Sequence, residues 1–137
     1  MGRRLKVTQI EWNDGLKLGL GFQDQDHEEA IALMNAMQTC SDADFPAAFA
    51  AHTEHLAAHL ARENELMERI GFFAKDMHMG EHERVLAEVA DMQAKIDAGD
   101  IATVRAYVEN DLPQWFKDHL GSMDMMTAQF ALQMGET

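Results

Sequence analysis

Proline is nearly missing from this chain, with two in 137 residues, so long uninterrupted helices are free to form. Aromatics make up only 7%, and no alternating β-branched run stands out, which argues against strands. The single cysteine, Cys40, excludes an intramolecular disulfide framework and fits a reducing compartment. Basic residues number 11 against 24 acidic ones, for a formal net charge of −13. Nucleic acid and anionic membrane surfaces are held through basic patches, so neither is an expected partner. The only basic cluster, Arg3–Arg4 with Lys6, is too short to reverse this. No apolar stretch approaches the roughly 20 residues of a membrane span, so membrane insertion is not expected. The first residues hold neither an apolar signal core nor the Ser or Thr at position 6 that myristoylation needs. The expectation is a cytoplasmic protein.

What the chain does have is an apolar fraction of 47%, enough for one core in one domain spanning 1–137. Residues 1–22 read as an arm punctuated by Gly15, Gly19 and Gly21, with Trp12, Leu18, Leu20 and Phe22 available to pack over the rest. Four amphipathic helices follow, over about 24–134. The first, near 24–38, turns His27, Ile31, Met34 and Met37 inward; Asp44 is a candidate N-cap for the second, with Pro46 in its first turn. The second, 45–70, carries Phe49, His52, Leu56, His59, Glu63, Leu66 and Ile70 at alternating steps of three and four, and Gly71 ends it. The third, 75–98, lines up His78, His82, Val85, Val89, Met92 and Ile96. Asp100 caps the fourth, which runs through Ile101, Val104, Val108, Leu112, Trp115 and His119 and should kink at Pro113 before a tail that frays. Short connections give an all-α, up-down-up-down four-helix bundle.

The polar members of these inward stripes carry the chemistry. His59–Glu63 and His78–His82 are i,i+4 pairs, each on one helix face. His119 and Asp124 are five apart, about 140° around a regular helix, so either they approach from different angles or the backbone distorts. In an up-down bundle His27, His59, Glu63, His78, His82, His119 and Asp124 all fall at the same end. Burying such groups costs several kcal/mol unless they are paired or coordinated. Imidazole binds iron, copper, zinc or nickel, and a carboxylate can bridge two ions. His52 and His55 share the second helix without joining this pattern, and Glu81, Glu83 and Glu88 read as a solvated face.

The full pattern runs over most of the chain. Trp12 precedes Asp24-Gln25-Asp26-His27; His59-x-x-x-Glu63 with Met67 leads to Gly71-Phe72; His78-x-x-x-His82 follows; Trp115-x-x-x-His119-x-x-x-x-Asp124 completes it. In this the chain resembles the hemerythrins, and among them the single-domain bacterial members. The resemblance implies a cofactor of two iron ions (Fe2+/Fe3+) bridged by Glu63, Asp124 and an oxo or hydroxo group. His78, His82 and His119 would hold one iron; His27 and His59 would hold the other, which keeps an open position where O2 binds reversibly. Leu56, Leu60, Leu120, Ala30 and Trp115 would surround the bound O2. The chain departs from the family at Leu60, Asn64, Ala30 and Met125-Met126-Thr127, and the small Ala30 with Leu60 suggests a roomier pocket. Oxygen-activating di-iron bundles use Glu-x-x-His twice, and no histidine here has Glu three residues before it. A carrier is therefore expected and not an enzyme, whether for storage, delivery, scavenging or sensing. The rivals are a di-iron enzyme reducing peroxide or nitric oxide, and a metal-handling protein holding zinc or labile iron.

Overall fold

The structure, a computed structural model, describes residues 9–137; the Arg3–Arg4 and Lys6 cluster and the start of the arm lie outside them. The helices are α1 (Gly21–Thr39), α2 (Phe45–Ile70), α3 (Lys75–Asp97), α4 (Ile101–Glu109), α5 (Asp111–His119) and α6 (Met125–Gln133), with a five-residue π turn, Leu120–Asp124, between the last two. Helix α1 packs on α2 and α4, and α3 packs on the same pair. That ring is an up-down-up-down four-helix bundle whose fourth member is built from α4, α5, the π turn and α6. Among the described residues no helix is long and apolar enough to cross a membrane.

Local chemistry explains the boundaries. Helix α1 starts three residues before the expected Asp24, because the Asp24 carboxylate is used on the arm: it accepts from the Leu18 N–H at 2.7 Å and the Gly19 N–H at 3.1 Å. Gly19 takes a φ of 93°, which lets the chain turn there. Helix α2 ends in left-handed Gly71, whose neighbour Phe72 donates to the Met67 carbonyl at 3.0 Å. Asp44 occupies the N-cap position but its side chain caps nothing, since its backbone is already near-helical. Asp100 does cap α4, accepting from the Thr103 N–H at 3.2 Å.

The interruption expected at Pro113 falls at Asn110 instead. Pro113 lacks an N–H, so it is best placed in a first helical turn, where that donor has no intrahelical partner. The chain breaks three residues earlier and restarts at Asp111. The tail does not fray as expected. Beyond Gln133 a short turn is pinned by Gly21 N–H to the Thr137 carbonyl at 3.0 Å and by Arg69 to Glu136 at 2.8 Å.

Two apolar clusters fill the bundle. The larger includes Met34, Met37, Phe45, Phe49, Val85, Val89, Val104 and Val108, with Ile10, Trp12, Leu16 and Leu18 of the arm laid against it. The smaller holds Leu20, Leu66, Ala128 and Ala131. Along α2 the first ends at Leu60 and the second begins at Leu66, so Glu63 and its neighbours are enclosed by apolar packing on both sides.

The π turn solves the five-residue problem of His119 and Asp124. An i→i+5 hydrogen-bond pattern puts residues five apart on nearly the same face. Within it Ser122 Oγ donates to the Asp118 carbonyl at 2.6 Å, a bond that bends helices. Deleting Gly121 makes the pair i,i+4, which a plain α-helix also brings to one face. That variant should keep the bundle and its metal stoichiometry; metal analysis of the purified variant checks this, and loss of metal would mean the widened turn itself is required.

Candidate metal centre

All seven expected donors are buried and converge. His27 comes from α1, His59 and Glu63 from α2, His78 and His82 from α3, His119 from the end of α5, and Asp124 from the π turn. They form two overlapping groups, Glu63 with His78, His82, His119 and Asp124, and His27 with His59, Glu63 and Asp124, in each of which the donor atoms lie within 4.8 Å of one another. Every imidazole presents Nε2 to a carboxylate oxygen. The separations are 3.1 Å for His27, His78 and His119 to Asp124, and 3.2 Å for His59 and His82 to Glu63.

These distances suit a metal better than protons. His78 Nε2 and His119 Nε2 stand 3.1 Å apart, both within 3.1 Å of the same Asp124 oxygen. The buried atoms Glu63 Oε1 and His82 Nε2 have no well-formed hydrogen bond. Two donors each about 2.1 Å from one ion and at a right angle would be roughly 3.0 Å apart. Nitrogen and oxygen donors at that spacing, with lone pairs facing inward, fit a pair of divalent ions.

Three of the outer ring nitrogens are also held. His59 Nδ1 lies 2.8 Å from Asp26 Oδ2, His78 Nδ1 2.7 Å from Thr127 Oγ1, and His82 Nδ1 2.7 Å from Asn64 Oδ1. Arg62 donates twice to Asp26, and Gln23 donates to Glu63 Oε2 at 2.8 Å. His119 stacks on Trp115, with ring centroids 4.6 Å apart and planes at 16°. None of these orienting roles was assigned from the sequence. Thr127 lies eight residues past His119 across the π turn, so no regular periodicity points to it.

The electrostatics follow from two buried carboxylates. Burial pushes Glu63 up, and Asp124 beside it pushes the same way, yet His59 and His82 outweigh both and hold it at about 2. Burial likewise opposes the Asp124 anion, but His119, His27 and His78 bring it well below the usual range. Burial presses His59 to lose its proton; Asp26 and Glu63 overcome that and lift it to about 10. His52 has no such partner. Burial, and then the charge of His55, push it down to about 4.

Beside the His27–His59 side lies a cavity of about 20 Å³. Its walls include Ala30, Met34, Leu56, Leu60, Trp115 and Phe116, and its volume suits one very small molecule. Met34 and Phe116 line it together with the small Ala30 and with Leu60. Four of the five residues expected around a bound O2 line it. Leu120 does not: it is the first residue of the π turn and packs toward Ile10, Leu16 and Leu18 of the arm. His52 and His55 both line the cavity. Glu81 is more than solvated surface, since it accepts from Trp115 Nε1 at 3.3 Å and pairs with Arg84.

No family model matches the chain. It is 36% identical over 126 residues to the bacteriohemerythrin of Ralstonia nicotianae, covering 92% of this chain and 91% of that protein. The bacteriohemerythrin of Aquifex aeolicus is 35% identical over 134 residues, 93% of this chain and 98% of the other. That of Stenotrophomonas maltophilia is 26% identical over 126 residues, 89% and 81%.

The shifted groups fix how metal-free stability varies with pH. His59 rises from 6.5 to about 10 on folding, so its contribution is complete below pH 6.5 and disappears as pH climbs through 10. His52 falls from 6.5 to about 4, so its contribution is complete above 6.5 and disappears as pH drops through 4. Glu63 adds a further loss between 4.5 and about 2. Urea midpoints in a chelator should therefore peak near pH 6.5. His59→Gln should flatten the alkaline limb and His52→Leu the limb between 6.5 and 4.5. Thr127→Val, which strips His78 Nδ1 of its partner, should weaken metal binding roughly 10–100-fold in a competition titration.

Proposed function

The chain belongs to the hemerythrin family, and on that premise we propose that it holds two iron ions in the buried cluster and binds O2 reversibly at one of them. The division of the donors carries this reading. Two groups that share Glu63 and Asp124 are what a pair of ions spanned by two carboxylates requires. His78, His82 and His119 would then hold one iron, and His27 and His59 the other. With a shared oxo or hydroxo group, the first iron would have six donors and the second five, leaving one place open. When bound, the irons supply that open place and the electrons on which O2 binding draws.

The chain's own residues govern what reaches it. Asp26, Thr127 and Asn64 fix three imidazole rings through Nδ1, so that Nε2 is the donor presented inward. The cavity adjoins His27 and His59, the pair assigned to the iron with the open place. Ala30, Leu56, Leu60 and Phe116 give the cavity an apolar stretch that suits a small apolar molecule, with the His52 and His55 rings on its rim as the polar exceptions. Its size suits a diatomic gas.

Protein purified without added metal should contain two irons per chain, and the reduced form should gain a visible charge-transfer band in air that fades when O2 is removed. Mainly zinc in the purified protein would overturn the reading. Sustained consumption of H2O2 or NO with a reductant would replace the carrier by an enzyme. Glu63→Ala should lose both metal and thermal stability, because its histidine partners then stay buried without a counter-charge.

A further inference from the structure

One oxygen, Asp26 Oδ2, carries three donors at once. His59 Nδ1 lies 2.8 Å from it, Arg62 Nε 2.9 Å and Arg62 Nη2 2.8 Å. The Asp26 side chain is nearly enclosed, 10% exposed, while 45% of the Arg62 side chain is open to solvent. A chain of hydrogen bonds therefore runs from the protein surface to a ring at the centre of the cluster. The other two held imidazoles differ: His78 meets the neutral Thr127 hydroxyl and His82 the neutral Asn64 amide. Of these three, only His59 is backed by an anion.

We propose that Asp26 and Arg62 act as an opposed pair on His59, Asp26 strengthening and Arg62 restraining its electron donation, so that Arg62 sets from the surface the redox potential of the iron His59 holds. This rests on the di-iron reading above. With Nε2 on a metal, the His59 proton sits on Nδ1 and is donated to Asp26. A carboxylate pulling on that proton shifts negative charge into the ring and makes Nε2 a stronger donor. A stronger donor favours Fe3+ over Fe2+. The two Arg62 N–H groups draw charge out of the same oxygen and weaken its pull. Solvent screens the guanidinium charge itself, so the shared hydrogen bonds carry most of the effect. Asp26 and Arg62 are positioning residues, and their removal has opposite signs.

The test is a potentiometric titration of the iron-loaded wild type, Asp26→Asn, Arg62→Met and Arg62→Lys, in which each Fe2+ passes one electron to a mediator dye. Asp26→Asn should raise the midpoint and Arg62→Met should lower it. Each should move the Fe3+/Fe2+ ratio at fixed potential by about tenfold, or about 59 mV for a one-electron couple. Arg62→Lys, which keeps the charge and one donor, should stay closer to wild type than Arg62→Met does. A second measurement needs neither iron nor O2: in the zinc-loaded proteins the His59 Nδ1 nitrogen resonance should move in opposite directions in Asp26→Asn and Arg62→Met. Shifts of the same sign, or none, in protein that binds O2 normally would overturn the pair and leave Arg62 a packing residue. Opposed resonance shifts in a protein that takes up no iron would uphold the pair and sink the di-iron reading instead.

Discussion

Glu63 and Asp124 are carboxylates buried in the middle of a helical bundle, and the rest of the structure answers to them. An anion in that position is tolerated only if cations or strong donors surround it. Five imidazoles from all four members of the bundle supply that environment, and each approaches one of the two carboxylates to 3.1 or 3.2 Å. A second layer, Asp26, Asn64, Thr127 and Gln23, fixes the groups that do so. Polar residues in a core are costly singly, and here the set makes sense only as a whole.

Helix geometry delivers the set. Three members of the bundle meet the need with ordinary α-helical spacing: one donor from α1 and i,i+4 pairs from α2 and α3. The fourth adapts twice. It restarts after Asn110, where Pro113 can sit in a first turn, and it widens between His119 and Asp124 so that the two share a face. Both departures lie on the same helix, so the distortion is confined to one side of the bundle.

Much of this was legible in the sequence. The steps of three and four through Phe49, His59, Glu63 and Leu66 fix both the helix and its inward face, and α2 has the limits they indicate. The convergence of seven donors followed from topology, because alternating direction brings the end of one helix beside the start of the next. What was not legible depends on contacts between helices. Asn64 looked like a mere departure from the family and proves to hold the His82 ring. Asp26 stood in the quoted motif, but its partner Arg62 is 36 residues away. Leu120 was placed around a bound O2 because it flanks His119; in the structure it opens the π turn and joins the apolar cluster against which the arm is laid. The tail was expected to fray, and a backbone hydrogen bond to the start of α1 decides otherwise.

The division of the apolar packing has a further consequence. On one side of the metal centre is an extensive core; on the other, a smaller one built on Leu20, Leu66, Ala128 and Ala131, with Met67 and Phe72 also buried past Glu63. The ions would act as a rivet joining a strong half to a weak one. Stripped of them, the molecule should open first at the end bearing both Gly21 and Thr137, where the apolar cluster is smaller, and the half built around Phe45 and Val108 should hold longest.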